Sequence, residues 1–205
     1  MKPQEIEDRS MAIIERELGE RRWPPEEMVI VKRCIHTSAD FDYADNLVFS
    51  PGAVQRGLEA LKRGTTIVTD TSMAAAGINK ASAAALGVQI RCFMADEEVA
   101  REAKNRGITR AAVCMEKAAA LGEPVILAVG NAPTALLRLH EMMEAGEFFP
   151  ELVIGVPVGF VNVVESKELI LSSPVPHIVA RGRKGGSNIA AAICNALLYQ
   201  VYRQE

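Results

Sequence analysis

Long apolar runs are missing from this chain: nowhere does it approach the roughly 20 consecutive apolar residues that a membrane helix requires. The first residues lead into a charged amphipathic segment, so neither insertion nor export is expected. Aromatic residues make up only 5% of the sequence, too few for a base-stacking platform. A basic surplus is absent as well. Lys and Arg number 23 against 26 Asp and Glu, a formal charge of -3 that argues against a nucleic-acid binder but leaves room for a local basic pocket. Cysteine is sparse and scattered: Cys34, Cys92, Cys114 and Cys194 form no C-x-x-C pair. That spacing suggests neither a zinc site nor a disulfide framework, and it fits a reducing cytoplasm.

Several catalytic signatures are missing too. No G-x-G-x-x-G follows a strand, and there is neither a G-x-x-x-x-G-K-[ST] loop nor a G-x-S-x-G elbow. His36, His140 and His177 lack metal-ligand spacing, so no metal site is expected. Asp40, Asp42 and Asp45 cluster without the glycine and terminal glutamate of a calcium loop, and read as a solvated turn.

What is present is an alternation of strand and helix patterns. At 205 residues the chain suits one domain, 1–205, with a full core and no linker or internal repeat. Residues 3–18 have the spacing of a surface helix stopped at Gly19. A short apolar strand over 46–49 precedes Ser50-Pro51-Gly52, where serine is expected to cap the next helix, ended by Gly64. Further strands are expected at 65–69, 88–92, 124–129, 152–156 and 177–180. Helices are expected at 96–106, 109–121, 133–145 and 161–171, with a long amphipathic one over 187–202. Residues 124–129 are apolar on both faces, as in a buried parallel strand. The architecture implied is a three-layer αβα domain, with a mainly parallel sheet and its ligand at the carboxyl ends of the strands.

The turns expected at those ends are chemically unusual. They are Asp70-Thr71-Ser72, Gly130-Asn131-Ala132-Pro133-Thr134, Pro157-Val158-Gly159-Phe160 and Arg181-Gly182-Arg183-Lys184-Gly185-Gly186-Ser187. The last sets three cations beside glycines, just before a helix whose free N–H groups attract anions, and reads as a carboxylate or phosphate cradle. Asn131 and Thr134 suit ligand contact and helix capping equally.

One further stretch carries a titratable group. Pro24-Pro25-Glu26-Glu27 makes a good helix start, with Met28, Val29, Val31 and Ile35 as a buried face, which leaves His36 in the last turn. Unpaired carbonyls there favour the imidazolium and a proton-donor role, unless the ring merely caps them.

In their order and spacing these segments resemble the precorrin-8X methylmutase family of cobalamin biosynthesis, over nearly the whole chain. The carriers are Ile6-Glu7-Asp8-Arg9-Ser10, Arg33-Cys34-Ile35-His36, Val48-Phe49-Ser50-Pro51, Asp70-Thr71-Ser72-Met73, Thr109-Arg110, the 130–136 segment, Pro157-Val158-Gly159-Phe160-Val161 with Glu165-Ser166-Lys167, and the 181–187 loop. The resemblance implies a flavodoxin-like fold, a homodimer, no organic cofactor, and His36 as proton donor or acceptor. It further implies an anionic corrinoid substrate and product, the reaction moving a methyl group from C-11 to C-12 of the macrocycle. Ser10 and Arg110 match substrate-contacting positions. Together with the turns, the resemblance makes Arg33, Thr71, Asn131, Thr134, Gly159, Lys167, Arg181, Arg183 and Ser187 the remaining substrate-binding candidates. Two other readings stay open: a non-catalytic corrinoid carrier on the same scaffold, and a module for a nucleotide or phosphorylated ligand. The second lacks its glycine loop.

Overall fold

The computed structural model describes residues 2–202; Met1 and 203–205, the ends of the expected 1–205 domain, lie outside the described residues. Two helices lead: α1 (Pro3–Leu18) and α2 (Pro25–Ser38), followed by one turn of helix, α3 (Tyr43–Asn46), and strand β1 (Leu47–Phe49). Next come α4 (Ala53–Lys62), β2 (Thr66–Thr69), α5 (Ser72–Gly77), α6 (Lys80–Ala85), β3 (Ile90–Arg91), α7 (Glu97–Arg106) and α8 (Arg110–Ala119). The chain finishes with β4 (Val125–Val129), α9 (Pro133–Glu144), β5 (Leu152–Gly155), α10 (Val163–Leu171), β6 (His177–Ala180) and α11 (Ser187–Tyr202).

The six strands lie in the order β1-β6-β5-β4-β2-β3. All neighbours are parallel except β1, which pairs antiparallel with β6 and closes one edge. Without β1, the parallel strands taken in chain order run 2-1-3-4-5, the flavodoxin-like order, whose switch point falls between β2 and β4. Every residue of β4 is buried, as its two-sided apolar sequence requires. Separate cores cover the two faces. Residues of α2, α4 and α11 build one, and residues of α7, α8, α9 and α10 build the other.

Three expectations need correction. Ser50 does not cap α4: its hydroxyl accepts the His177 N–H across the sheet edge at 2.9 Å, and Gly52, at φ 74°, starts the helix instead. The 88–92 strand shrinks to Ile90–Arg91, because it pairs on one side only. The terminal helix is less amphipathic than its sequence suggests. It packs against α2, α4, α5 and α6 while touching β4 and β5, so Ile189, Ile193, Leu197 and Leu198 are buried on successive turns. Among the described residues, no helix is long and apolar enough to cross a membrane.

Candidate active site

The turns after β2, β4, β5 and β6 meet at the carboxyl end of the sheet through named bonds. Asp70, fully buried at the end of β2, accepts the N–H groups of Gly130, Asn131 and Ala132 at 2.9, 2.8 and 2.7 Å. Burial pushes its carboxyl above the ordinary range, and those three donors pull part of the way back. Thr71 caps α5 by accepting the Ala74 N–H, and its hydroxyl lies 2.7 Å from that of Ser187 at the start of α11. Gly130 has to be glycine. A Cβ there would sit 2.7 Å from the Ser187 Cα, and one on Gly185 would sit 2.1 Å from the Val156 carbonyl oxygen.

The 181–187 loop is built from inside. Lys167, in α10, has no accessible surface, and its ammonium donates to the carbonyls of Gly182 and Lys184, both at 2.8 Å. Burial pulls its pKa down to about 8. The sequence expectation of direct substrate contact is therefore corrected: Lys167 is sealed beneath the loop and braces it. The Gly159 N–H donates to the Arg183 carbonyl at 3.2 Å, tying the turn after β5 to the same loop. Outward, Arg181 meets Glu168 at 3.5 Å and stays half exposed, while the Arg183 guanidinium lies 5.6 Å from the centre of the Phe160 ring. Lys184 is not available as a third cation, since both Asp40 and Asp42 accept from it. Nor is the 40–45 turn merely solvated, because Asp45 pairs with Arg21 at 3.1 Å.

His36 stands exposed in the last turn of α2. The Ile35 and Cys34 carbonyls beside it are already taken, by the Ala39 N–H at 2.7 Å and the Ser38 hydroxyl at 2.8 Å. Burial raises the neighbouring Cys34 thiol far above its ordinary pKa, leaving that sulfur inert. One turn back, Arg33 is held by Glu7 at 2.9 Å and lies over the Tyr199 ring. A cleft of about 290 Å³ between α2, α5 and α11 is lined by Arg33, Thr37, Asn188, Asn195 and Tyr199.

The remaining candidates fall into two groups. Ser10 sits one turn beyond Glu7 on α1, its hydroxyl donating to the Ile6 carbonyl at 2.9 Å. Asn131, Thr134 and Arg110 belong to the opposite face of the sheet. Ala132, not Asn131 or Thr134, occupies the cap position of α9, so neither side chain is spent on capping. Thr109 donates to Thr134 at 2.8 Å and thereby sets Arg110, exposed at the start of α8, beside the 130–134 turn. A larger groove there, about 370 Å³, is lined by Thr109, Thr134 and by Arg106, Glu116 and Arg138, which are already paired with one another. Sequence reasoning passed over Asp70 as a functional residue. The signal was an acid ending a β-branched strand, facing a glycine-asparagine turn whose N–H groups need acceptors.

Fold and site define a doubly wound α/β domain of flavodoxin-like strand order, with an exposed imidazole and exposed arginines at the carboxyl end of its sheet. The profile described as Precorrin-8X methylmutase matches residues 5–200, and the chain belongs to that family. A cobalt-precorrin-8 methylmutase of Salmonella typhimurium is 46% identical, over 97% of this chain and 96% of its own. A precorrin-8X methylmutase of Pseudomonas aeruginosa is 39% identical, over 95% and 94%. The crystal structure of a precorrin-8X methyl mutase from Thermus thermophilus superposes with a TM-score of 0.90 at 39% identity, covering 97% of this chain and 98% of that one.

Proposed function

We propose that this protein is a methylmutase acting on a precorrin-8 macrocycle, moving a methyl group from C-11 to C-12 with His36 as the proton-transfer group. The observation that carries the reading is the exposed imidazole of His36 at the carboxyl end of the sheet in a chain belonging to this family. The methyl shift asks for a proton on the conjugated ring system, which makes the ring electron-poor, and for the proton's return when product forms. General acid–base help of this kind is worth about 10²–10⁴-fold. The rest is orientation of a rigid ligand with carboxylate arms, for which Arg181, Arg183, Arg33 and Arg110 are the cations at hand and Ser10, Thr71, Asn131, Thr134, Gly159 and Ser187 the polar companions. Cobalt, where present, is part of the substrate. The 46% identity to a cobalt-precorrin-8 enzyme makes the cobalt-bound form the first to assay.

A two-fold dimer in the cytoplasm belongs to the same reading. The 290 Å³ cleft is at the lower bound for a small-molecule site and too shallow to enclose a macrocycle. Met73, at the start of α5, and Phe160 and Val161, in the turn after β5, are all more than 70% exposed at the same end of the sheet, suited to burial against a second copy. Sedimentation at micromolar concentration yielding only monomer would refute that assembly. Three of the four free cysteines are buried, which suits a reducing compartment.

His36→Asn keeps approximate size and one hydrogen bond but does not titrate near neutrality. Substrate binding should survive while turnover falls by on the order of 10²-fold or more, and the limb of the pH profile near neutrality should vanish. Parental turnover with the parental pH profile would assign the proton to another group. Binding without turnover in the parent protein would favour the carrier reading.

A further inference from the structure

The cation of the basic loop that the substrate site does not use has a bonding pattern of its own. Lys184 donates to Asp40 Oδ2 at 2.6 Å and to Asp42 Oδ2 at 2.7 Å, across 144 and 142 residues of sequence. Each carboxylate belongs to the turn that leaves the His36 helix. Asp40 uses its other oxygen, Oδ1, to accept the Asp42 N–H at 3.0 Å, and the Asp40 N–H donates to Ser38 Oγ at 3.2 Å. Ser38 Oγ donates in turn to the Cys34 carbonyl, so a continuous chain of bonds runs from Lys184 into the last turn of α2. That turn needs holding. Its C-cap is Ala39 at φ 55°, ψ 25°, a left-handed conformation that helices normally give to glycine.

The other end of the chain is fixed. The Lys184 carbonyl accepts from the buried ammonium of Lys167, and Gly185 is packed so closely on the Val156 carbonyl that a Cβ would not fit. Two carboxylates on one ammonium leave that corner with a net negative charge, so Lys184 is poorly placed to attract a carboxylate arm. We propose that Lys184 is a positioning residue: through Asp40 and Asp42 it locks the end of the His36 helix to the substrate-facing 181–187 loop. The spacing between imidazole and anion site is then set by this staple. The proposal rests on the reading of His36 given above and deepens it.

Lys184 and Asp42 are exposed and Asp40 is half-buried at the surface, so their ion pairs add little to global stability and the variants should fold. With purified protein and cobalt-precorrin-8 as substrate, Lys184→Met should lower kcat about tenfold with KM within about twofold of the parent. Displacing a catalytic group by even an ångström has an effect of that order or larger. Asp40→Asn with Asp42→Asn should give the same loss, the triple variant should lose no more than either, and Lys184→Arg should recover most of kcat. If Lys184 instead binds substrate, Lys184→Met raises KM at constant kcat and the aspartate pair of substitutions lowers KM, which overturns the proposal. Parental kcat and KM in Lys184→Met also overturns it. His36→Asn separates the two levels. Parental turnover in that variant sinks the His36 reading itself, whereas a dead His36→Asn beside a fully active Lys184→Met sinks only the staple.

Discussion

Two glycine-bearing turns at the same end of the sheet, 130–134 and 181–187, look alike as sequences and are built in opposite ways. In the first, at the switch point between β2 and β4, three successive N–H groups converge as an anion hole should, but the protein's own Asp70 already occupies it. In the second, the occupant is a buried cation: Lys167 fills the loop from below and satisfies two of its carbonyls. The one turn is closed to external anions at its backbone and offers only the side chains of Asn131 and Thr134. The other keeps its arginines outside. Composition tells that a turn has donors; where they are spent is a property of packing.

The largest effect should come from emptying the first turn. Asp70→Ala strands three N–H groups, of which at least that of buried Gly130 is out of reach of water. An unmet donor of this kind costs about 1–3 kcal/mol, so a loss of about 3–5 kcal/mol is expected in urea unfolding. The melting temperature should fall on the order of 10 °C. Asp70→Asn keeps one acceptor oxygen and should fall between. A loss below about 1 kcal/mol for Asp70→Ala would mean that the turn holds its shape unaided, and the contrast between the two turns would collapse.

Lys167 tests the second turn through pH. Its folded-state pKa of about 8 lies below the ordinary lysine value of 10.5. Between those two values the unfolded chain holds a proton that the folded one has released, so stability rises with pH there, and the gain is lost as pH falls through 8. Lys167→Met removes this dependence. The stability difference, parent minus variant, should grow by on the order of 2 kcal/mol from pH 7.5 to 10, the other titrating groups cancelling. A flat difference would show the ammonium to be solvated in practice and the loop to be held by its glycine packing alone.

Much of this was legible in the sequence, and the failures share a cause. Strict two-sided apolar character gave away β4, prolines and acids marked the start of α2, and Gly19 and Gly64 marked stops, all local signals with one physical meaning. The placement of His36 in a last turn follows from the same local logic. Where one side chain has two uses, local reading fails. Ser50 was available as a cap, but the His177 N–H at the start of β6, just past the last pair with β1, claimed it. Lys167 had the residue type of a ligand contact, and only the packing of α10 under the loop turned it inward. Asp40 and Asp42 read as solvated because their partner is more than 140 residues away. Long-range pairings of charged groups leave no periodicity to detect.

The smallest effect should be electrostatic, and it isolates what the second turn offers outward. Arg181 and Arg183 are exposed, one loosely paired with Glu168 and the other lying over Phe160, so their attraction for carboxylate arms is screened by salt. Replacing both with glutamine should leave the melting temperature within a degree or two, because neither holds the loop. KM for the anionic macrocycle should rise by about three- to tenfold at low ionic strength, each exposed charge being worth under about 1 kcal/mol, and the dependence of KM on salt should flatten. Neutralising Lys184 should flatten it much less, since that cation is already shared by two aspartates. If the double arginine variant keeps both the parental KM and the parental salt slope, the 181–187 loop is a solvated turn, and the cations that meet the substrate are Arg33 and Arg110.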